Sequence, residues 1–296
     1  MKNTKPKVRL WSVLTGLTAI LTVAAIVGNI IANQYATTLN VALNASTYKI
    51  IHGENTGDTE YFKKGFASDE EREAYEAELC ATVEAEGAAL LKNENNALPL
   101  ASGAKVSLFG HGSVDLMYGG TGSGSVDTSK APNLKQALEA QGITINQTLW
   151  DLYSSDSMMS KYSRMTPASI SDTLEANTQY AVNEAPWSAL SSAESSFAEY
   201  GDAAIVVLSR SGGEGADLPS GENGTNDSWI SGQEGDGNYL ALSAEEIELL
   251  QNLKALKDNG TFKNIVVLIN SSNAIELDFL NPEICGEDYG IDAAMW

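Results

Sequence analysis

Residues 203–209 read AAIVVLS and residues 264–270 read NIVVLIN. Each is an unbroken apolar run of strand length, lacking the polar alternation of a strand with one wet face. Strands of a parallel sheet, buried on both faces, have this character. A well-marked helix lies between the two runs. Ser243 and Glu246 have the spacing of a capping box, and Leu242 and Ile247 that of a hydrophobic staple. Leu249, Leu250, Leu253 and Leu256 supply one apolar face, and Gly260 stops the helix. The order strand, helix, strand predicts the centre of a mainly parallel α/β sheet.

The same grammar extends outward. Residues 105–110, KVSLFG, predict a buried strand opening into a loop that holds Gly110, Gly112, Gly119, Gly120, Gly122 and Gly124. Residues 133–141 predict a short helix stopped by Gly142, and residues 143–145 the next strand. Residues 291–296, IDAAMW, begin a further strand, so the domain is expected to be incomplete. Upstream, Ser68 and Glu71 cap a helix whose stripe is Tyr75, Leu79, Val83, Leu90 and Leu91; residues 93–96 end it and Pro99 blocks its continuation. Residues 48–51, YKII, suit a short strand. The Ser-, Ala- and Glu-rich residues 150–200 predict short helices forming an insertion. The expected class is α/β, a mainly parallel sheet with helices on both faces.

Residues 11–32 carry no charge. As a helix they would span about 33 Å, close to the hydrocarbon thickness of a bilayer. A cleaved signal peptide has a shorter apolar region, roughly 7–15 residues, so a retained anchor is favoured. Lys2, Lys5, Lys7 and Arg9 precede the stretch and are expected to stay cytoplasmic, with the domain outside the cell. The expected division is a cytoplasmic tail over 1–9, a transmembrane anchor over 10–33, a linker over 34–74 and the α/β domain over 75–296.

Beyond Arg9, 14 basic residues stand against 39 acidic ones, a net of −25. Such a surface opposes nucleic acid, whose phosphates require cations. It does not repel a neutral sugar. Cys80 and Cys285 are the only cysteines, and a disulfide between them is left open. No clustered Cys or His suggests a metal. Asp236 and Asn238 stand in a polar, acidic stretch but lack the EF-hand spacing. His52 and His111 are isolated and suit ordinary hydrogen-bonded roles.

Ligands of open parallel sheets gather at the C-terminal strand ends. Two loops are expected there. In the first, 110–125, Asp115 stands where a dinucleotide fingerprint needs its third glycine, so no nucleotide cofactor is expected. Its glycines suit either a plain surface turn or close approach of backbone amides to a sugar. The second loop, 210–217, reads RSGGEGAD. Glu214, set among glycines at a strand end, suits a mobile acid reaching into a cleft, although composition alone favours a solvated carboxylate.

Several stretches in order resemble the α/β sandwich domain of glycoside hydrolase family 3. They are EGAALLKNENNALPL at 86–100, KVSLFG, YGGTGSGSV at 118–126, YGDAAIVVLSRSGGEGADLP at 200–219, YLALSAEEIELL at 239–250, NIVVLINSSNAIEL at 264–277 and IDAAMW. The resemblance covers roughly residues 75–296. It implies a six-stranded sandwich that pairs with a (β/α)8 barrel in a retaining β-glycosidase, often a β-glucosidase, with no cofactor. It also implies that the barrel supplies the aspartate nucleophile and that Glu214 matches the acid/base glutamate. Gly120, Gly122, Ser123, Gly213 and Asp217 are the expected substrate contacts. The anchor precedes the sandwich, as in members whose barrel follows it, and Trp296 falls before the expected glycine-rich continuation and the barrel. The chain alone is therefore expected to be inactive, since retaining hydrolysis uses two carboxylates. The alternative is a catalytically silent surface module that binds carbohydrate or a partner protein.

Overall fold

The computed structural model describes residues 5–43, 45, 64–120, 122–164, 182–212 and 239–296. The chain divides into two compact units, Met1–Ala74 and Tyr75–Trp296.

In the first unit, helix α1 spans Lys5–Gln34. Its stretch Val8–Gln34, 27 residues of mean hydropathy 2.1, has the length and composition to cross a membrane, or to act as a signal sequence. The hydroxyls of Ser12, Thr15, Thr18 and Thr22 each donate to the carbonyl one turn back, at 2.9–3.0 Å. Its hydroxyls are thus satisfied within the helix, as an apolar surrounding demands. Helix α2, Ala36–Ala42, follows.

Helix α3 covers Asp69–Gly87 and none of its residues is buried. Ser68 Oγ accepts from the Glu71 amide, while the Glu71 carboxylate reaches the Ala67 amide rather than that of Ser68. The helix is shorter than expected. Leu90 and Leu91 do not continue its stripe but form strand β1, Leu90–Asn93. Backbone pairing outweighs the helical period here: Ala89 and Trp296 exchange amide bonds of 2.6 and 2.9 Å, and β1 runs antiparallel to β6, Ala293–Met295.

The remaining strands are β2 (Lys105–Phe109), β3 (Thr144–Ile145), β4 (Ala203–Arg210) and β5 (Ile265–Ser271). The six-stranded sheet has the order β1-β6-β5-β4-β2-β3, parallel except at β1. Residues 48–51 lie outside the described residues. The two central strands explain the apolar runs. Ala204, Val206, Leu208, Ile265, Val267 and Ile269 join the core on one face, and Ala203, Ile205 and Val266 that on the other. Helix α4, Leu134–Ala140, capped reciprocally by Asn133 and Gln136, covers one face with Leu134 and Leu138. Helix α5, Gln147–Tyr153, places Leu149 and Tyr153 in the opposite core, and helix α6 follows over Asp156–Lys161. Helix α7, Ala244–Asp258, carries the expected Ser243–Glu246 capping box and buries Leu249, Leu250 and Leu253.

The described part of 150–200 is no insertion. Its 3-10 turns Trp187–Leu190 and Glu194–Tyr200 place Leu190, Ala193 and Phe197 in the main core. Phe197 and Phe262 meet Phe109 edge-on at 5.2 and 5.7 Å. Edge-to-face pairing adds to what burial of these rings contributes.

Candidate functional site

Strands β2, β4 and β5 end on one edge of the sheet, where a parallel topology collects ligands. At the end of β2, Gly110 has φ +83 and a Cβ there would stand 2.7 Å from the Val207 carbonyl oxygen. Only glycine fits this turn. The next residue, His111, is buried. Its amide donates to Glu184 Oε2 at 2.8 Å, and its ring Nε2 lies 2.7 Å from the Val182 carbonyl, which requires the proton on that nitrogen. This is the ordinary hydrogen-bonded role expected of it. The other Glu184 oxygen accepts from the Ala185 amide at 2.9 Å, and the Tyr153 hydroxyl accepts from Gly110 at 3.1 Å. Burial raises the Glu184 carboxyl above its ordinary range, against the pull of His111 and the two amides.

The loop beyond His111 is held by Asn270 of β5. Its Oδ1 accepts the Met117 amide at 2.6 Å, and its Nδ2 donates to the Met117 carbonyl at 2.9 Å. Ser209 Oγ adds a 3.3 Å bond to the same Oδ1. Asp115 is paired with Arg164, at 3.1 Å between Oδ2 and Nη2, and Arg164 Nη1 donates to the Asp115 carbonyl at 2.5 Å. Tyr118 donates its hydroxyl to the Pro132 carbonyl at 2.9 Å. Burial, and after it the Asp115 charge, raises the Tyr118 phenol above its usual 10.0.

This loop and the end of β4 enclose a cleft of about 340 Å³, lined among others by Asp115, Tyr118, Gly120, Arg164, Ser211 and Gly212. Gly120 and Gly212 face each other across it, the Cβ position of Gly120 lying 3.5 Å from the Gly212 carbonyl oxygen. A Cβ on Gly212 would meet the Asn273 amide group at 2.4 Å.

Arg210 is not a loop residue. It ends β4 fully buried and uses all five of its donors. Nη1 and Nη2 bond Glu246 at 2.8 and 2.7 Å, Nη1 also reaches the Ser209 carbonyl, Nε the Tyr239 carbonyl and Nη2 the Ala241 carbonyl. The Tyr239 hydroxyl accepts from the Ser211 amide at 2.8 Å. Both flanks of residues 213–238 are therefore tied to one buried cation beside the cleft.

Of the expected contacts, Gly120 lines the cleft. Gly122 and Ser123 belong to the 3-10 turn Gly122–Gly124, where Ser123 is exposed. Gly213, Glu214 and Asp217 lie outside the described residues, as do His52, Asp236 and Asn238. Cys80 and Cys285 are both free thiols. Among the described residues no three His, Cys, Asp or Glu side chains converge as a metal site. Sequence reasoning passed over Asn270, Arg164 and the Arg210–Glu246 pair. Arg210 left a signal, since a cation closing an apolar strand needs a buried partner.

The C-terminal domain of glycosyl hydrolase family 3 matches residues 88–287. Over 146 residues the chain is 34% identical to beta-glucosidase A of Butyrivibrio fibrisolvens, an alignment taking in 47% of this chain and 15% of that protein. A beta-glucosidase from Paenibacillus barengoltzii shares the fold with TM-score 0.53 and 25% identity, over 74% of this chain and 21% of that one. Beta-glucosidase 3B from Thermotoga neapolitana, solved with alpha-D-glucose, does so with TM-score 0.56 and 21% identity, over 77% of this chain and 28% of that one. The chain thus spans well under half the length of these relatives. On the extent of the domain match and the sheet that carries it, the chain belongs to glycosyl hydrolase family 3 and holds that family's C-terminal domain.

Proposed function

We propose that this chain is the sandwich part of a retaining β-glycosidase of the β-glucosidase type, hydrolysing O-glycosidic bonds of oligosaccharides. One observation carries the reading. The cleft at the C-terminal ends of β2 and β4 is walled by Gly212, and the sequence continues from there directly into Gly213 and Glu214. Glu214 is proposed as general acid and base. It protonates the departing glycosidic oxygen, then takes the proton of the water that releases the sugar. The nucleophile is proposed to be an aspartate of a (β/α)8 barrel joined to this domain, about 5–5.5 Å from Glu214 across the sugar. Gly120, Gly122, Ser123, Gly213 and Asp217 are the proposed substrate contacts. Residues 1–9 are proposed to be cytoplasmic and 10–33 to span the membrane, with residues 34–74 leading outside the cell to the sandwich domain at 75–296.

The test compares this chain with the protein that carries both domains, on 4-nitrophenyl β-glucoside and on cellobiose. Turnover is expected from the two-domain protein alone. A folded two-domain protein that cleaves neither substrate would overturn the reading. Turnover by this chain alone would overturn the division of the two carboxylates between domains.

A further inference from the structure

The two faces of the sheet are unequally covered. Helices α5, α6 and α7 and the turns at 187–200 close one face, while among the described residues α4, Trp150 and residues 97–100 cover the other. A parallel sheet is normally covered on both faces. The second face stays open along one row. Leu268 of β5, Met295 of β6 and Leu90 of β1 are register neighbours, so their side chains share that face. Leu90 is 56% exposed, and Leu268 and Met295 are half-buried. Leu90 and Met295 also wall a groove of about 670 Å³, with Leu98, Leu100, Leu138 and Ile143.

Helix α3 leads directly into this row. The Ala88 amide still bonds to the Glu84 carbonyl at 2.8 Å, and the Ala89 amide already bonds to the Trp296 carbonyl at 2.6 Å. From Tyr75 onward the helix belongs to the same compact unit as the sheet. Tyr75, Leu79 and Val83 recur every four residues as an apolar stripe, and Leu79 and Val83 are 47% and 62% exposed. The stripe is about 12 Å long. The span from Leu90 to Asn93 is about 10 Å. Gly87 can take the left-handed conformation that ends helices. Residues 87–89 then become a three-residue link, an ordinary length for a helix returning over the next strand.

We infer that α3 is a strap that folds back over the second face and seats Leu79 and Val83 on Leu90, Met295 and the groove. The polar residues lining the groove, Asn93, Ser102 and Gln141, are uncharged, so they do not repel an acidic helix. A second copy of α3 is the poorer occupant. The helix carries eight acidic residues and one basic, with Glu71 and Glu78 on one side of the stripe and Asp69 and Glu76 on the other. Two such helices would face each other with like charges.

Amide hydrogen exchange on the full chain in phosphocholine micelles tests the closure. A lone helix of this length is marginal in water, so its amides exchange readily unless it is docked. Val83→Gln adds no charge and improves helix propensity, so a free helix would be protected equally or better. Exchange over residues 76–86 is expected to quicken about tenfold in Val83→Gln, the effect of unburying one valine. Leu90→Gln and Met295→Gln, on the open row of the sheet, should quicken the same amides while those of β4 keep their protection. If either sheet variant loses β4 protection, the other is read in its place. Unchanged or slower exchange in Val83→Gln would overturn the strap. So would an effect of Val83→Gln that neither sheet variant shares, which would seat the stripe on the micelle. Protection that rises with chain concentration would make a second copy the occupant, and would overturn it too.

Discussion

Arg210 and Glu246 form a two-pronged ion pair, at 2.8 and 2.7 Å, with both side chains sealed from solvent. Burial alone would lower the affinity of Arg210 for its proton, but the charge and hydrogen bonds of Glu246, together with Tyr239 and Glu184, more than offset this. The same carboxylate accepts the Ser243 amide at 2.8 Å, so one group serves both the cation and the start of α7. Glu246→Gln leaves the guanidinium buried without a counter-charge. It should cost about 3–5 kcal/mol in urea unfolding, the usual consequence of removing one member of such a pair. A variant less than about 1 kcal/mol weaker than wild type would mean that the carbonyls of Ser209, Tyr239 and Ala241 suffice to hold Arg210.

A second expectation concerns pH. Glu184 titrates above 4.5 in the folded chain because it is buried. A carboxyl that holds its proton longer when folded favours the fold fully below about pH 4.5, and that contribution is lost as pH rises through the folded pKa. Glu184→Gln has no such proton. Plotted against pH from about 4 upward, the stability of wild type relative to Glu184→Gln should therefore fall. Parallel curves for the two proteins would show that the amides of His111 and Ala185 fully compensate for the burial.

Asn270 fixes the width of the cleft through both polar groups of the Met117 backbone. Asn270→Ala removes the two hydrogen bonds to Met117, worth together about 1–3 kcal/mol, and with them the longer one from Ser209. Hydrogen exchange should locate the effect. The Met117 amide should lose protection in the variant while the amides of β4 keep theirs. Unchanged exchange at Met117 would mean that the Asp115–Arg164 contact alone holds the loop.

How much of this was legible in the sequence depended on range. The runs at 203–209 and 264–270 declared buried parallel strands because both faces of those strands are apolar. Asn133, Ser243, Gly142 and Gly260 marked helix ends through local chemistry. Leu90 and Leu91 fitted the stripe of α3 as well as they fit a strand, and only pairing with Ala293–Met295, some two hundred residues on, decides between them. In 187–200, Ser- and Ala-rich composition masked the core roles of Leu190 and Phe197. The glycine-rich loop could be placed at the end of a strand. Its geometry could not be read, because the clamp joins residues 153 apart and the Asp115–Arg164 contact residues 49 apart.

Helix α1 should retain the chain in the membrane. Residues 11–32 of it carry no charge, and the hydroxyls of Ser12, Thr15, Thr18 and Thr22 are bonded within the helix, as lipid demands. Carbonate extraction of cells producing the chain should leave it in the membrane pellet. Recovery in the soluble fraction, lacking residues 1–33, would identify the helix as a cleaved signal.

The last prediction concerns Glu214 in the protein joined to its barrel. The flanks of residues 213–238 are tied together by Arg210 and by the Ser211–Tyr239 contact, and Gly212 lines the cleft two residues before Glu214. An acid that donates to a glycosidic oxygen near neutral pH needs a raised pKa, which burial against a barrel and a nearby nucleophile carboxylate would supply. Glu214→Ala should lower turnover of cellobiose by roughly 10²–10⁴-fold, the span for loss of acid–base assistance. The loss should be smaller for 2,4-dinitrophenyl β-glucoside, whose leaving group departs without a proton. With that substrate the glycosyl-enzyme forms readily but waits for a base. Added azide, which needs none, should restore turnover and yield a β-glucosyl azide. A merely structural role for Glu214 would depress both substrates alike and show no azide effect. Full activity of Glu214→Ala on cellobiose would place the acid elsewhere, with Asp217 and the carboxylates of the barrel next to be tested.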